Sequence, residues 1–177
     1  MVVVRAKTCT KCGVEKPLTE FGKHRLSKDG HAYRCKECAR KHSNAYSITS
    51  AGIYNQIKGR SNFYKRKGSK FYKPLNISKE DFIKWYESQE RICVYCDIPE
   101  EKMKLIAEDF DGRVSRLQVD SMNNDIGYEL GNIVLACHRC NFIKLNFLTF
   151  DEMYEFGHKY LKPKWQAKLC QKVNEDE

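Results

Sequence analysis

The sequence predicts a small α+β fold, and three observations carry that expectation. Eight of the nine cysteines fall into four CxxC pairs: Cys9/Cys12, Cys35/Cys38, Cys93/Cys96 and Cys137/Cys140. Two such pairs supply the four thiolates of a closed tetrahedral zinc site, so the chain reads as zinc-rich, with one four-cysteine module at the N-terminus and a second further on. Between the last two pairs, period-two alternation gives way to helical periodicity, in the order strand, turn, strand, helix. At 177 residues, 41% of them hydrophobic, the chain supports modest cores of the kind that metals commonly reinforce.

Residues 1–45 read as a zinc-ribbon-like module. Thr8-Cys9-Thr10-Lys11-Cys12-Gly13 is one knuckle and Arg34-Cys35-Lys36-Glu37-Cys38 the other, with the turn signal Lys28-Asp29-Gly30 between them. The four cysteines suffice for one metal, although His31 offers a substitute ligand; His24 and His42 read as surface residues.

Residues 46–79 read as a basic connector of loop and short helical pieces, because their apolar residues recur without clean periodicity. From Ala39 to Lys79 there is no acidic residue. Arg60, Lys65, Arg66, Lys67, Lys70 and Lys73 lie here, interleaved with Tyr46, Tyr54, Phe63, Tyr64, Phe71 and Tyr72. Such a stretch suits phosphate contact.

Residues 80–177 read as the third part. Ser78-Lys79-Glu80-Asp81 resembles a capping box with Asp in place of the usual Glu, and Phe82, Trp85, Tyr86 and Gln89 would share one helix face. The third knuckle follows, then an acidic excursion from Pro99 to Asp111, a solvated loop by composition. Arg116 to Ser121 alternates as a strand, Asn123-Asn124-Asp125 and Gly127 mark the turn, and Asn132 to Ala136 is the returning strand. Cys137 to about Leu145 is helical. Thr149-Phe150-Asp151-Glu152 opens a last helix, with Met153, Phe156, Tyr160 and Leu161 on one face and Pro163 as its stop. The tail around Trp165 and the lone Cys170 reads as polar and frayed.

Lys and Arg number 32 against 23 Asp and Glu, a net charge of +9 that points to a polyanionic partner. A secreted disulfide scaffold fits poorly: the apolar start Met1-Val2-Val3-Val4 is too short for a signal peptide before Arg5 and Lys7. No stretch approaches a membrane span. The expectation is a cytoplasmic, reducing compartment with thiolate–zinc ligation.

Inside the soft frame of Cys93, Cys96, Cys137 and Cys140 sit two hard oxygen donors, Asp120 and Asn141, of the kind Mg²⁺ takes. Soft and hard sites nested in this way point to metal-assisted phosphodiester chemistry. The run Cys93-Val94-Tyr95-Cys96, Val119-Asp120, Gly127-Tyr128, Asn132, Cys137-His138-Arg139-Cys140-Asn141 and Lys144 resembles the HNH endonucleases of the ββα-metal type. The likeness is nearest to PacI-like restriction enzymes and phage-borne HNH proteins, and the N-terminal knuckles ahead of a basic segment resemble theirs.

The resemblance implies a DNA endonuclease with a ββα-metal core and two structural Zn²⁺. Asp120 and Asn141 would hold one catalytic Mg²⁺ (or Mn²⁺), and Asn132 would brace the hairpin. Tyr86 would stand near the scissile phosphate, and Arg139 and Lys144 beside Asn141 would meet phosphate. Products would carry 5′-phosphate and 3′-hydroxyl ends. The partner would be double-stranded DNA, with a homodimer if the target is palindromic.

Ser121 departs from the pattern. Most of the family carry a histidine base there, and PacI-like sequences an arginine. A serine hydroxyl is too weak a base to deprotonate water unaided. Tyr86, His138 or the metal would have to serve instead. A catalytically inactive, zinc-stabilised DNA-binding protein is one alternative. An RNA-binding or RNA-processing zinc protein, its aromatics stacking on unpaired bases, is the other.

Overall fold

The computed structural model describes residues 5–105 and 116–175, so Glu108, Asp109 and Asp111 of the acidic excursion lie outside the described residues. The chain divides into two compact units, Met1–Gln56 and Ile57–Glu177.

The first unit is built from two short antiparallel hairpins and a helix. Strand β1 (Ala6–Thr8) pairs with β2 (Glu15–Pro17), Lys7 opposite Lys16. Strand β3 (Phe21–Lys23) pairs with β4 (His31–Cys35), Phe21 opposite Cys35. β1 delivers Cys9, and β4 ends on Cys35, which caps α1 (Lys36–Ser47) and so places Cys38 in its first turn. Strands of three to five residues cannot enclose much apolar surface. Cys9, Phe21 and Cys35, with Cys38 packed against them, form the small core, so the cysteines fill it as well as offering ligands. His31 turns its Nδ1 to the Asp29 carbonyl, 2.7 Å away, and is not one of the four ligands.

One long helix, α2 (Ser50–Arg66), stands where loop and short helical pieces were expected over much of residues 46–79. Ile53, Ile57 and Ser61 are buried at four-residue spacing, a helical seam that a serine in the third place hides from a hydrophobicity reading. The Ser61 hydroxyl donates to the Lys73 carbonyl (2.7 Å), which pins the chain beyond the helix back onto it.

In the second unit, α3 (Lys79–Ser88) starts at Ser78, whose Oγ accepts from Asp81 N (3.1 Å), and it buries Phe82 and Tyr86. Gln89 lies just past the helix end, its amide donating to the Trp85 carbonyl. After a short α4 (Glu100–Met103), strands β5 (Gln118–Ser121) and β6 (Ile133–Ala136) pair antiparallel, Asp120 opposite Val134. Helix α5 (His138–Lys144) follows immediately, capped by the Cys137 thiol. The strand–turn–strand–helix order expected from sequence is therefore present.

Helix α6 (Phe150–Phe156) opens on Thr149 and Glu152 with both bonds of a capping box formed. The chain does not stop at Pro163. It passes through a π-helical turn (Gly157–Leu161) into α7 (Lys162–Glu175), so the tail expected to fray is helical. Pro163 follows directly on the π-helical turn, where Lys162 N donates to the Gly157 carbonyl five residues back and the α-helical ladder is already interrupted. The wider turn also resets the helical phase. Met153, Gly157 and Leu161 are buried, whereas Tyr160, expected on that face, is exposed. Gly157 is required here, because a Cβ would lie 1.9 Å from the Tyr95 carbonyl oxygen. Trp165 donates to the Cys96 carbonyl (2.8 Å), and Lys162 and His158 both reach Asp97, so α7 is docked on the third knuckle. No helix among the described residues is long and apolar enough to cross a membrane.

Candidate active site

The metal frame is formed first by the knuckles. The sulfurs of Cys9, Cys12, Cys35 and Cys38 lie within 4.8 Å of one another, as do those of Cys93, Cys96, Cys137 and Cys140. All eight are free thiols. Four sulfurs at this spacing cannot all be thiolates unless a cation neutralises them. Backbone N–H groups of Cys35 and Cys12 pull Cys9 down to about 6, and hydrogen bonds from the Cys137, Cys140 and Cys96 thiols lower Cys93. Both donor sets fit structural zinc, and the second set ties the β5–β6–α5 unit to the segment carrying Tyr95.

On that frame the hairpin and helix converge. Gln118 and Asp120 share one face of β5 by the two-residue period of a strand. Asn141 and Lys144 share one face of α5 by the three-residue spacing of a helix. The two faces meet: Asn141 Nδ2 donates to Gln118 Oε1 (2.9 Å), and Lys144 Nζ donates to the Ser121 carbonyl (2.8 Å).

Asp120 is 2% exposed and lies at the centre of this junction. Its Oδ2 accepts from the Tyr95 hydroxyl (2.9 Å) and faces Lys144 Nζ at 3.3 Å. Its Oδ1 faces Lys73 Nζ at 3.6 Å, an ion-pair distance rather than a hydrogen bond. Lys73 also donates to Ser121 Oγ (2.9 Å), which in turn donates to Asn124 Oδ1 (3.0 Å). Burial pushes the Lys73 ammonium below the usual lysine range, with the Asp120 charge opposing. Burial first, and then the Asp120 charge, push the Tyr95 hydroxyl up, so it stays a donor.

Asn132 is buried behind the hairpin turn. Its Oδ1 accepts from Asn123 N (3.0 Å), and its Nδ2 donates to the carbonyls of Asn123 (2.8 Å) and Gly127 (2.7 Å). All three bonds fix the turn. Gly127, at φ 79°, allows it to approach Pro74, whose carbonyl would lie 2.4 Å from a Cβ.

Tyr86 is buried on α3. Its hydroxyl accepts from Arg91 (2.8 Å), its ring stacks on Phe82, and among the described residues it makes no hydrogen bond or ring contact with Asp120 or Asn141. His138 Nδ1 faces Gln118 Nε2 at 3.3 Å. Of the residues expected to meet nucleic acid, Arg60, Lys65, Arg66, Lys67 and Lys70 are exposed, and Arg139 is half-buried beside Trp165 and Lys168 of α7. Lys144 is fully buried, its ammonium committed to Asp120 and Ser121. Lys73 lines a cavity of about 540 Å³ together with Lys70, Asn123, Asn124, Asn146 and Phe147.

The tyrosine that meets Asp120 is Tyr95, inside the third CxxC pair, to which the sequence analysis gave no role. Gln118 was also missed, although its position two residues before Asp120 placed it on the same strand face.

The donor chemistry fits a hard cation. Tyr95 and Lys144 hold Asp120 Oδ2, leaving Oδ1 without a hydrogen bond. The bond from Asn141 Nδ2 to Gln118 leaves Asn141 its carbonyl oxygen. These are the two oxygen types Mg²⁺ takes from protein. Lys73 is the competing cation.

No protein-family model matches the chain, and no curated protein sequence matches it. Among solved structures, the chain is similar to the rare-cutting HNH restriction endonuclease PacI, with 22% identity and a TM-score of 0.53 over 92% of this chain and 97% of that one. Together with the strand–turn–strand–helix core and the two four-cysteine clusters, that likeness gives the chain an α+β, PacI-like HNH endonuclease fold.

Proposed function

We propose that this protein is a DNA endonuclease that hydrolyses phosphodiester bonds with one catalytic divalent metal, leaving 5′-phosphate and 3′-hydroxyl ends. The observation that carries this reading is a buried carboxylate, Asp120, on β5 of a PacI-like fold, with Asn141 of α5 bonded to the same strand at Gln118, two residues away. Mg²⁺ or Mn²⁺ held by Asp120 and Asn141 would neutralise charge developing on the phosphate and the leaving oxygen.

The chain's own residues do the positioning. Tyr95 and Lys144 fix the carboxylate plane through Oδ2. Asn132 holds the turn that sets the β5–β6 register. The exposed cations Arg60, Lys65, Arg66, Lys67 and Lys70 supply grip independent of base sequence, while Lys73 reaches the site itself. Two Zn²⁺ brace the knuckles. Ser121 cannot act as base. Tyr86, with Arg91 as the cation at its hydroxyl, takes that role in this reading, and a palindromic target would require a two-fold dimer.

One observation favours a second reading, a zinc-stabilised DNA-binding protein without catalysis. Two ammonium groups already share Asp120. Incubation of supercoiled plasmid with the zinc-loaded protein and Mg²⁺ or Mn²⁺ separates the two. Nicked or linear product that disappears in Asp120→Ala supports the nuclease. Retarded but uncut plasmid with every metal supports the binder. A general base contributes about 10²–10⁴ in rate, so Tyr86→Phe that cuts at the wild-type rate removes Tyr86 from the role.

A further inference from the structure

We propose that Phe147 is a wedge that enters a base step of duplex DNA beside Asp120, its ring stacking on an unstacked base while Lys70 and Lys73 hold the neighbouring phosphate. The proposal deepens the nuclease reading and rests on it for the identity of the partner.

Phe147 is 88% exposed, in the loop just after α5. A single exposed apolar side chain is ordinary on a protein surface. This one follows, two residues on, a strained turn. Leu145, at the end of α5, has φ 44° and ψ −131°, one of two non-glycine residues with positive φ among those described. Glycine takes such a conformation without strain, because it has no Cβ. A leucine there costs backbone energy, and it is itself more than half exposed.

Strain of this kind persists only where the surroundings over-determine it, and here they do. Leu145 N donates to the Asn141 carbonyl (3.1 Å), and Asn124 Nδ2 donates to the Leu145 carbonyl (3.1 Å). Phe147 N and Leu148 N both donate to the Lys144 carbonyl (3.0 and 3.1 Å). Asn124 also accepts from Ser121 Oγ, to which Lys73 donates. The loop is thus anchored at both ends to the hydrogen-bond network around Asp120.

The surroundings select the partner. Phe147 lines the same cavity as Lys70 and Lys73, with Asn123, Asn124 and Asn146 as further polar walls. Two cations and three amides stand against one carboxylate, Asp125, in this lining, and with the projecting ring they match a phosphate with its base displaced. Wedges of this type, inserted between base steps, trade lost stacking for a bent duplex that meets more protein.

The test uses the zinc-loaded full-length chain with no Mg²⁺ or Mn²⁺ added. Its probes are two labelled duplexes of one sequence, one fully paired and one with a central mismatch at a 2-aminopurine. Because a mismatched step costs less to open, the wild type should prefer the mismatched duplex and raise its 2-aminopurine emission. Phe147→Ala should weaken binding to that duplex roughly 5- to 150-fold, the range for removal of one aromatic platform. Phe147→Trp should restore binding.

Binding without an emission change, or discrimination unaltered in Phe147→Ala, overturns the wedge. So does sedimentation showing that Phe147→Ala converts a dimer to a monomer, or preference for single-stranded RNA over either duplex. The nuclease reading fails separately. If emission rises as expected but plasmid is never cut, the wedge stands and catalysis falls.

Discussion

Lys144→Met should be among the most damaging single changes at the hairpin–helix junction, and a double-mutant cycle with Asp120→Asn gives the reason. The Lys144 side chain is 0% exposed, and its ammonium makes two contacts, 3.3 Å to Asp120 Oδ2 and 2.8 Å to the Ser121 carbonyl. Methionine keeps most of the stem and removes both contacts. Removing one partner of a buried ion pair typically costs ~3–5 kcal/mol, because the other charge stays buried and uncompensated. Tyr95 and Lys73 still reach Asp120, so the expected loss lies toward the lower end, about 3 kcal/mol.

Asp120→Asn keeps an amide oxygen near the ammonium and leaves the Ser121 bond intact, so it should cost less, roughly 1–2 kcal/mol. The double mutant should be less destabilised than the sum, with a coupling of about 1–3 kcal/mol. Urea unfolding in excess Zn²⁺, with zinc content verified for each variant, measures all four corners. Coupling below about 0.5 kcal/mol, the level at which independent sites add, would refute the argument that Lys144 holds the carboxylate. Equal costs for the two single changes would refute the role assigned to the Ser121 carbonyl.

Gly157→Ala should loosen the π-helical turn from the third knuckle, because the new Cβ would lie 1.9 Å from the Tyr95 carbonyl oxygen. A loss of about 3 kcal/mol is expected. Gly59→Ala, in α2 with nothing within 4 Å, should instead stabilise by ~0.5–1 kcal/mol, and thermal unfolding of both gives opposite signs. Elemental analysis should find two zinc ions per chain, and chelation should collapse both units; a single zinc would remove one four-cysteine site from the description. Replacing Lys65, Arg66, Lys67 and Lys70 with alanine should flatten the log–log salt dependence of DNA binding by up to about 3.6 units, since each phosphate neutralised contributes roughly 0.9. An unchanged slope would show that these exposed cations do not track phosphate.

Some of this protein was determined locally and is visible as spacing. CxxC pairs impose their own geometry, so both four-cysteine sites followed from positions alone. Ser78 and Thr149 cap helices where their sequences place them, because a cap depends on three or four consecutive residues. The β5–β6–α5 order followed from the change in apolar period.

Other features depended on partners distant in sequence. α2 was hidden because its buried seam includes Ser61, whose place is set by Lys73. The helix expected to end at Pro163 continues because the π-helical turn shifts the phase and Trp165, Lys162 and His158 find the third knuckle. The surroundings of Asp120 were the least legible. Tyr95, Lys73 and Lys144 approach it from 25, 47 and 24 residues away in sequence. No period or motif encodes such separations. Only the packing of hairpin, helix and knuckle decides that a tyrosine inside a CxxC pair and two lysines expected to meet phosphate close on one buried carboxylate.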